Sequence, residues 1–242
     1  MDSPGKSPGE SPEESPEKSR SGGLRHRRLS VPVSDADLAS LELGDIVYLD
    51  GTIYTGREGV YQRYLGDGIE PPVPLAEISN VNFHCSPAAS VNPDGSYNVG
   101  AVTATASFRF SKWLDQWFAR SGCKMIIGKG GMSSADYRDK LVPNGAVYLT
   151  TVGYGTGALL GRAIKRVVAA HWLKELGIAQ AMWVFEVEKF GPLIVESDLD
   201  GNSLFEQQAA LVNRNVDAMY AGLKPPALAR YGETTNRKDE VV

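Results

Sequence analysis

The sequence predicts a mixed α/β domain, on three observations. Short runs of β-branched and aromatic residues bounded by glycine, such as IVYLDGTIY and AVYLTTV, read as strands. SFRFSKWLDQWFARSG instead places Phe110, Trp113, Leu114, Trp117 and Phe118 at helical spacing. The two kinds of segment mix without strict alternation, which favours a mixed sheet over a simple doubly wound one.

Taken in order, residues 1 to about 22 repeat Ser-Pro every few positions and offer no apolar anchor after Met1. Such a composition cannot offset its ordering entropy, so residues 1–34 are expected to be a disordered tail. RHRRLS, residues 25–30, reads as a solvated linker, and deletion of residues 1–30 is expected to leave stability almost unchanged. A first strand is expected from Ile46 to Tyr54 and another from Asn82 to Cys85, leading to a Pro-Asp-Gly turn around Asp94. The amphipathic helix then starts close to Ser107 and stops at Ser121-Gly122. KMIIGKGG gives a short buried strand and a glycine turn, and SSADYRDKL a short helix opened by a Ser133 to Asp136 capping pattern. A strand over 146–152 follows, and the glycines at 153, 155, 157 and 161 lead into a long helix through Lys174, closed by Gly177. MWVFEVE and PLIVES read as two further strands, DLDGN as a turn, and Leu204 to Leu223 as largely helical; residues 225–242 are left as a C-terminal extension.

A chain of 242 residues, 42% of them hydrophobic, can bury one sizeable core. No uncharged run approaches the roughly 20 apolar residues of a spanning helix, and the start lacks the apolar stretch of a secretory signal, so a cytoplasmic protein is expected. A net charge of -4 argues against a broad nucleic-acid surface. Two cysteines, Cys85 and Cys123, cannot supply a four-thiolate zinc or iron-sulfur site and read as core thiols.

Three familiar motifs fall short. GYGTGALLG fits G-x-G-x-x-A between a strand and a helix, but the next strand, MWVFEVE, starts late for a ribose-binding acid and its Glu186 alternates among apolar neighbours, so close helix packing explains the glycines better. In GKGGMSS, Lys129 is followed by Gly130 and the upstream glycine is misplaced for a P-loop. DLDGNSLFE brings its glycine too early for a calcium loop. What survives is a set of cationic and hydroxyl groups at element ends: Arg57 after a strand, Thr105 and Arg109 flanking a helix start, and Lys129 in a glycine turn. Thr105 and Arg109, four apart, share a face if the first turn reaches that far. Helix-start amides and an arginine fork together suit a dianionic small acid.

GTIYTGREGVYQR, VTATASFRFSKW, IIGKGG, GAVYLTTVGYG and DLDGNSLF, in this order, resemble the β-type catalytic domain of class I iron-sulfur hydro-lyases, the class I fumarate hydratases and L(+)-tartrate dehydratases, over roughly residues 40 to 210. The resemblance implies a swivelling β/β/α fold over 35–224 and an α-type partner subunit, in an αβ or (αβ)2 assembly. That partner holds a 4Fe-4S cluster through three cysteines. It also implies roles: Arg57, Arg109 and Lys129 bind substrate carboxylates, Arg109 and Lys129 stabilise charge in the reaction, and Thr105 is the base. No metal ligand is assigned to this chain. The implied reaction is reversible hydration of a small dicarboxylate, fumarate to malate first; tartrate or a substituted dicarboxylate, and a non-catalytic paralogue, are the alternatives. The sequence departs from the family in carrying Tyr61 for a histidine, Glu58 for an aspartate, and Thr103-Ala104-Thr105-Ala106 for G-P-T-T. The first change removes an imidazole that would titrate near neutral pH.

Overall fold

The computed structural model describes residues 24–153 and 155–222. The strands are β1 (His26–Val31), β2 (Ile46–Thr55), β3 (Val81–Phe83), β4 (Cys85–Val91), β5 (Tyr97–Ala104), β6 (Met125–Gly128), β7 (Val147–Thr151), β8 (Ile164–His171) and β9 (Met182–Ser197). Among them lie helices α1 (Asp35–Ala39), α2 (Glu58–Tyr61), α3 (Leu75–Ile78), α4 (Leu114–Ser121), α5 (Ser134–Asp136), α6 (Thr156–Arg162), α7 (Leu173–Leu176) and α8 (Leu204–Tyr220). None of the described helices is long and apolar enough to cross a membrane.

The main sheet runs β1-β2-β3-β6-β7-β9-β8, and β2 also pairs with β9, which closes β2, β3, β6, β7 and β9 into a five-stranded barrel. Strands β2, β3, β6 and β7 are parallel neighbours, while β9 runs antiparallel to both β7 and β2. Alternation along each strand sorts the side chains. Val81, Phe83, Met125, Ile127, Val147 and Leu149 join one buried cluster, whereas Ile126 and Tyr148 join a second with Phe110, Leu114 and Trp117 from the helical layer. Phe83 meets Phe190 at 5.5 Å although β3 and β9 are not neighbours, so the first cluster fills the barrel. β4 and β5 form a separate hairpin, seated on β9 through Tyr97 and Trp183, whose rings lie 5.2 Å apart.

The structure departs from the sequence reading in three places. The segment assigned to the long helix through Lys174 is split: α6 ends at Arg162, and β8 pairs with the first half of β9, with Val167 opposite Phe185 and an Arg166–Glu186 ion pair across the strands. The open edge of β9 overrides the local helical pattern. MWVFEVE and PLIVES are one 16-residue strand, bent where Lys189 takes a φ of 51° and donates its backbone N–H to Asp50. Finally, HRRLSV is strand β1, not a linker within the tail. It lies parallel to β2 with Leu29 buried opposite Leu49, and its cationic neighbours are met by acids that the fold brings in: Arg25 pairs with Glu42 and Asp45, and Arg28 with Asp50. The Ser-Pro residues 1–23 and the extension 225–242 lie outside the described residues.

The expectation for a deletion of residues 1–30 therefore reverses. Removing them strips β1 from its place beside β2 and exposes the surface that Leu29 covers, a loss of about 3 kcal/mol and a fall in Tm on the order of 10 °C. Thermal unfolding of the shortened and full chains checks this; equal Tm values would show that β1 adds nothing to the core.

Candidate functional site

Parallel strands deliver their carboxyl ends to one rim of the barrel, the customary place for ligands in α/β sheets. Four backbone hydrogen bonds stitch the segments there side by side: Gly56 N–H to Phe83 O (3.1 Å), His84 N–H to Ile127 O (2.8 Å), Thr105 N–H to His84 O (2.7 Å) and Lys129 N–H to Thr105 O (3.2 Å). Three of the four predicted residues lie on these segments. Arg57, just past β2, precedes α2 and donates through Nη1 to Ala179 O at 3.2 Å, while its buried Nε has no hydrogen-bond partner among the described residues. Lys129, just past β6, is exposed ahead of Gly130 and Gly131, both at positive φ. Thr105 follows β5 and is half-buried.

Arg109 completes the set. The predicted helix begins as a 3-10 turn, Phe108–Trp113, before α4, and this tighter winding carries Arg109 back over Thr105: Nη2 donates to Thr105 Oγ1 at 2.6 Å. Thr105 and Arg109 thus share a face, and Lys129 is tied to the same turn through the Thr105 carbonyl. Arg57 stands on the adjacent strand end. A guanidinium that donates to a hydroxyl oxygen lowers the cost of leaving that oxygen negative, and four of its five N–H groups remain for a carboxylate.

Beneath this turn lies a buried polar chain that the sequence reading missed. Asn82 Nδ2 donates to Tyr61 OH (3.0 Å), Tyr61 OH bonds His84 Nε2 (2.8 Å), His84 Nδ1 bonds Ser107 Oγ (2.7 Å), and Ser107 Oγ bonds Tyr148 OH (2.9 Å). All five residues are fully buried. Tyr61, the departure from the family's histidine, therefore touches an imidazole instead of supplying one. The available signal was NFHCS itself, a histidine inside an apolar strand run.

Burial, reinforced by the charge of Arg109, lowers the His84 pKa from 6.5 to about 3. The unfolded chain binds a proton at this residue below about pH 6.5 and the folded chain does not until about pH 3, so stability falls as pH drops through that window. Comparison of Tm between pH 7 and pH 4 for the native chain and His84→Gln isolates the effect. The native chain should lose more, on the order of 1 kcal/mol per pH unit below 6; parallel losses would place the acid sensitivity elsewhere.

The tempting motifs resolve as packing. A Cβ on Gly161 would sit 1.9 Å from Gly100 O and one on Gly157 would sit 3.2 Å from Val102 O, so this glycine run lets α6 lie against β5. Asp198 closes its own turn, accepting from Asp200 N–H, Asn202 N–H and Asn202 Nδ2. Cys85 and Cys123 are free, buried and in different core clusters; burial raises both thiols, Cys123 to about 11. Among the described residues no group of three or more His, Cys, Asp or Glu side chains converges as a metal site.

Comparison with known proteins agrees with this architecture. The fumarase C-terminus family matches residues 6–208. A protein of Methanocaldococcus jannaschii, provisionally named as an L(+)-tartrate dehydratase subunit beta, is 35% identical over 183 residues, 74% of this chain and 89% of that protein. The L(+)-tartrate dehydratase subunit beta of Escherichia coli is 29% identical over 187 residues, 76% of this chain and 88% of that one. A Geobacillus stearothermophilus protein, provisionally named as a class I fumarate hydratase, is 33% identical over 178 residues, which are 74% of this chain but a 33% share of that longer protein. The closed barrel with its covering helices fits the swivelling β/β/α fold of these proteins, and the chain belongs to the fumarase C-terminus family as a hydro-lyase subunit of the tartrate dehydratase and class I fumarate hydratase type.

Proposed function

We propose that this chain is the carboxylate-binding and proton-abstracting half of a class I hydro-lyase. It works with an α-type subunit on a small C4 dicarboxylate, with fumarate and malate as the leading pair. The observation that carries the proposal is the bond from Arg109 to Thr105 Oγ1, which gives an ordinarily very weak base the cationic neighbour it needs. In this reading Thr105 Oγ1 takes the proton from the carbon next to a carboxylate as hydroxide leaves the adjacent carbon, and passing that proton on to the hydroxide makes water. Arg109 and Lys129 face the negative charge that grows on that carboxylate, and Arg57 grips the substrate from the neighbouring strand end.

The described residues of this chain do not fit the role of cluster ligands, since the two thiols are buried apart and both raised. In this reading a 4Fe-4S cluster belongs to the partner and, when bound, supplies a Lewis-acidic iron for the substrate's hydroxyl. A second substrate has a specific claim: the Methanocaldococcus jannaschii and Escherichia coli relatives carry tartrate dehydratase names.

The test is anaerobic co-expression with an α-type subunit, purification by a tag on this chain, and kcat/KM for malate, fumarate and L(+)-tartrate. The largest value on malate and fumarate supports the leading pair. Preference for tartrate moves the substrate and keeps the chemistry, whereas a cluster-loaded complex inert to all three overturns the proposal.

A further inference from the structure

We infer that His84 is a positioning residue of this site, an Nδ1-protonated imidazole that holds the Thr105–Arg109 turn in its working geometry. The inference rests on the functional reading above for the identity of the groups being positioned. It rests on geometry for the rest.

His84 is attached to the turn at three points. Its carbonyl accepts the Thr105 N–H at 2.7 Å, its Nδ1 meets Ser107 Oγ at 2.7 Å, and the edge of its ring packs on Phe110 with centroids 4.7 Å apart. Those points are residues 105, 107 and 110, so they bracket both Thr105 and Arg109. Phe110 is itself sandwiched: Tyr61 stacks on it at 5.1 Å, and the Arg109 guanidinium lies 5.5 Å from its ring. His84 is in turn fixed to the barrel by its own N–H on Ile127 O, so the turn is referenced to β6, the strand that also delivers Lys129.

The ring's tautomer follows from counting protons. Asn82 donates to Tyr61 OH, and with Nε2 protonated the buried Tyr61 oxygen would receive two donors while its own proton found no acceptor, so we assign Nε2 as the acceptor of the Tyr61 proton. The remaining ring proton sits on Nδ1 and goes to Ser107, whose own proton passes on to Tyr148 OH. In this assignment Tyr61, His84 and Ser107 each give one hydrogen bond onward and receive one, with Asn82 heading the chain and Tyr148 ending it. Because all five are fully buried, no water replaces a lost link, and a break at His84 leaves orphaned groups directly under Thr105. The charged and titratable groups beside the ring are Arg109 and Tyr61, with Tyr148 one link further on behind Ser107; burial and the Arg109 charge both keep the imidazole uncharged.

Displacement of a catalytic turn by about 1 Å costs on the order of 100-fold in rate. The experiment measures kcat and KM for the purified complex carrying His84→Leu and His84→Asn. It also takes long-range proton–nitrogen NMR spectra of the histidines in the full chain at pH 7. His84→Leu is expected to lower kcat about 100-fold while KM rises less than about fivefold, because Arg57 and Lys129 hold the carboxylates from other segments. His84→Asn returns an N–H toward Ser107 and should recover kcat to within about tenfold of the native complex. Native spectra should show one uncharged ring protonated on Nδ1 that is lost in either variant. Should His84→Leu fail to fold, Tyr61→Phe keeps the stack on Phe110 and deletes the donor to Nε2 together with the acceptor for Asn82 Nδ2. It should then lower kcat about tenfold and let the ring proton share both nitrogens. Native kcat in His84→Leu or in Tyr61→Phe, no rescue by His84→Asn in a folded complex, or a ring protonated on Nε2 would each overturn the inference. A native complex inert to dicarboxylates sinks the functional reading alone, because the NMR arm still reports on the ring.

Discussion

Arg109→Ala is expected to lower kcat/KM of the αβ complex by about 1,000-fold or more, with Tm within about 1 °C of the native chain. The two halves of this expectation have different causes. Arg109 is exposed and packs loosely, through one hydrogen bond to Thr105 and a guanidinium over the Phe110 ring, so little of the fold depends on it. Its guanidinium nevertheless serves two chemical needs at once, stabilising negative charge on Thr105 Oγ1 and presenting a planar fork to a carboxylate. Arg109→Lys should recover only part of the loss, since an ammonium reaches one of those partners at a time. The contrast with Arg28 sharpens the argument. Arg28 makes a bidentate pair with Asp50, at 2.5 and 2.9 Å, and its removal should touch stability slightly and activity not at all. An Arg109→Ala complex within tenfold of native kcat/KM would remove Arg109 from the reaction and take the proposed role of Thr105 with it.

The residues that carry this argument were legible because they sit at element ends, where local chemistry speaks. Strand-then-glycine patterns located Arg57 and Lys129, and an aromatic helix start located Thr105 and Arg109. The capping signal at Ser133 is realised too, with Ser133 Oγ accepting the Asp136 N–H at 3.1 Å. The buried chain beneath them was illegible for a physical reason. Tyr61 and Ser107 each lie 23 residues from His84, and Tyr148 lies 41 from Ser107, so no spacing rule connects them; only barrel closure does. The misread elements fail in the same way. Residues 164–171 become a strand because β9 offers an unfilled edge, and 26–31 become one because Glu42, Asp45 and Asp50 arrive from elsewhere to meet the arginines. Local pattern proposes an element and tertiary pairing decides it.

Gly128→Ala should damage both stability and activity. A Cβ there would lie 2.0 Å from Ser107 Oγ and 2.3 Å from Tyr148 OH, and neither atom can yield. Ser107 Oγ is pinned between His84 and Tyr148, both fully buried, and the backbone of Gly128 is held in register opposite Thr150. Either the polar chain breaks or the end of β6 moves and drags Lys129 with it. Overpacking and a buried orphan together cost about 2–5 kcal/mol, a fall in Tm on the order of 10 °C. Adding Ser107→Ala and Tyr148→Phe removes both obstructing oxygens and should restore most of that stability. Activity should stay low, because the same changes remove the acceptor through which His84 holds the turn. Recovery of Tm without recovery of kcat would separate the two tasks of this small volume, which fills the rim of the barrel and aligns the turn above it. Joint recovery of both would mean that the clash alone, and not the hydrogen-bonded chain, governs where Thr105 sits.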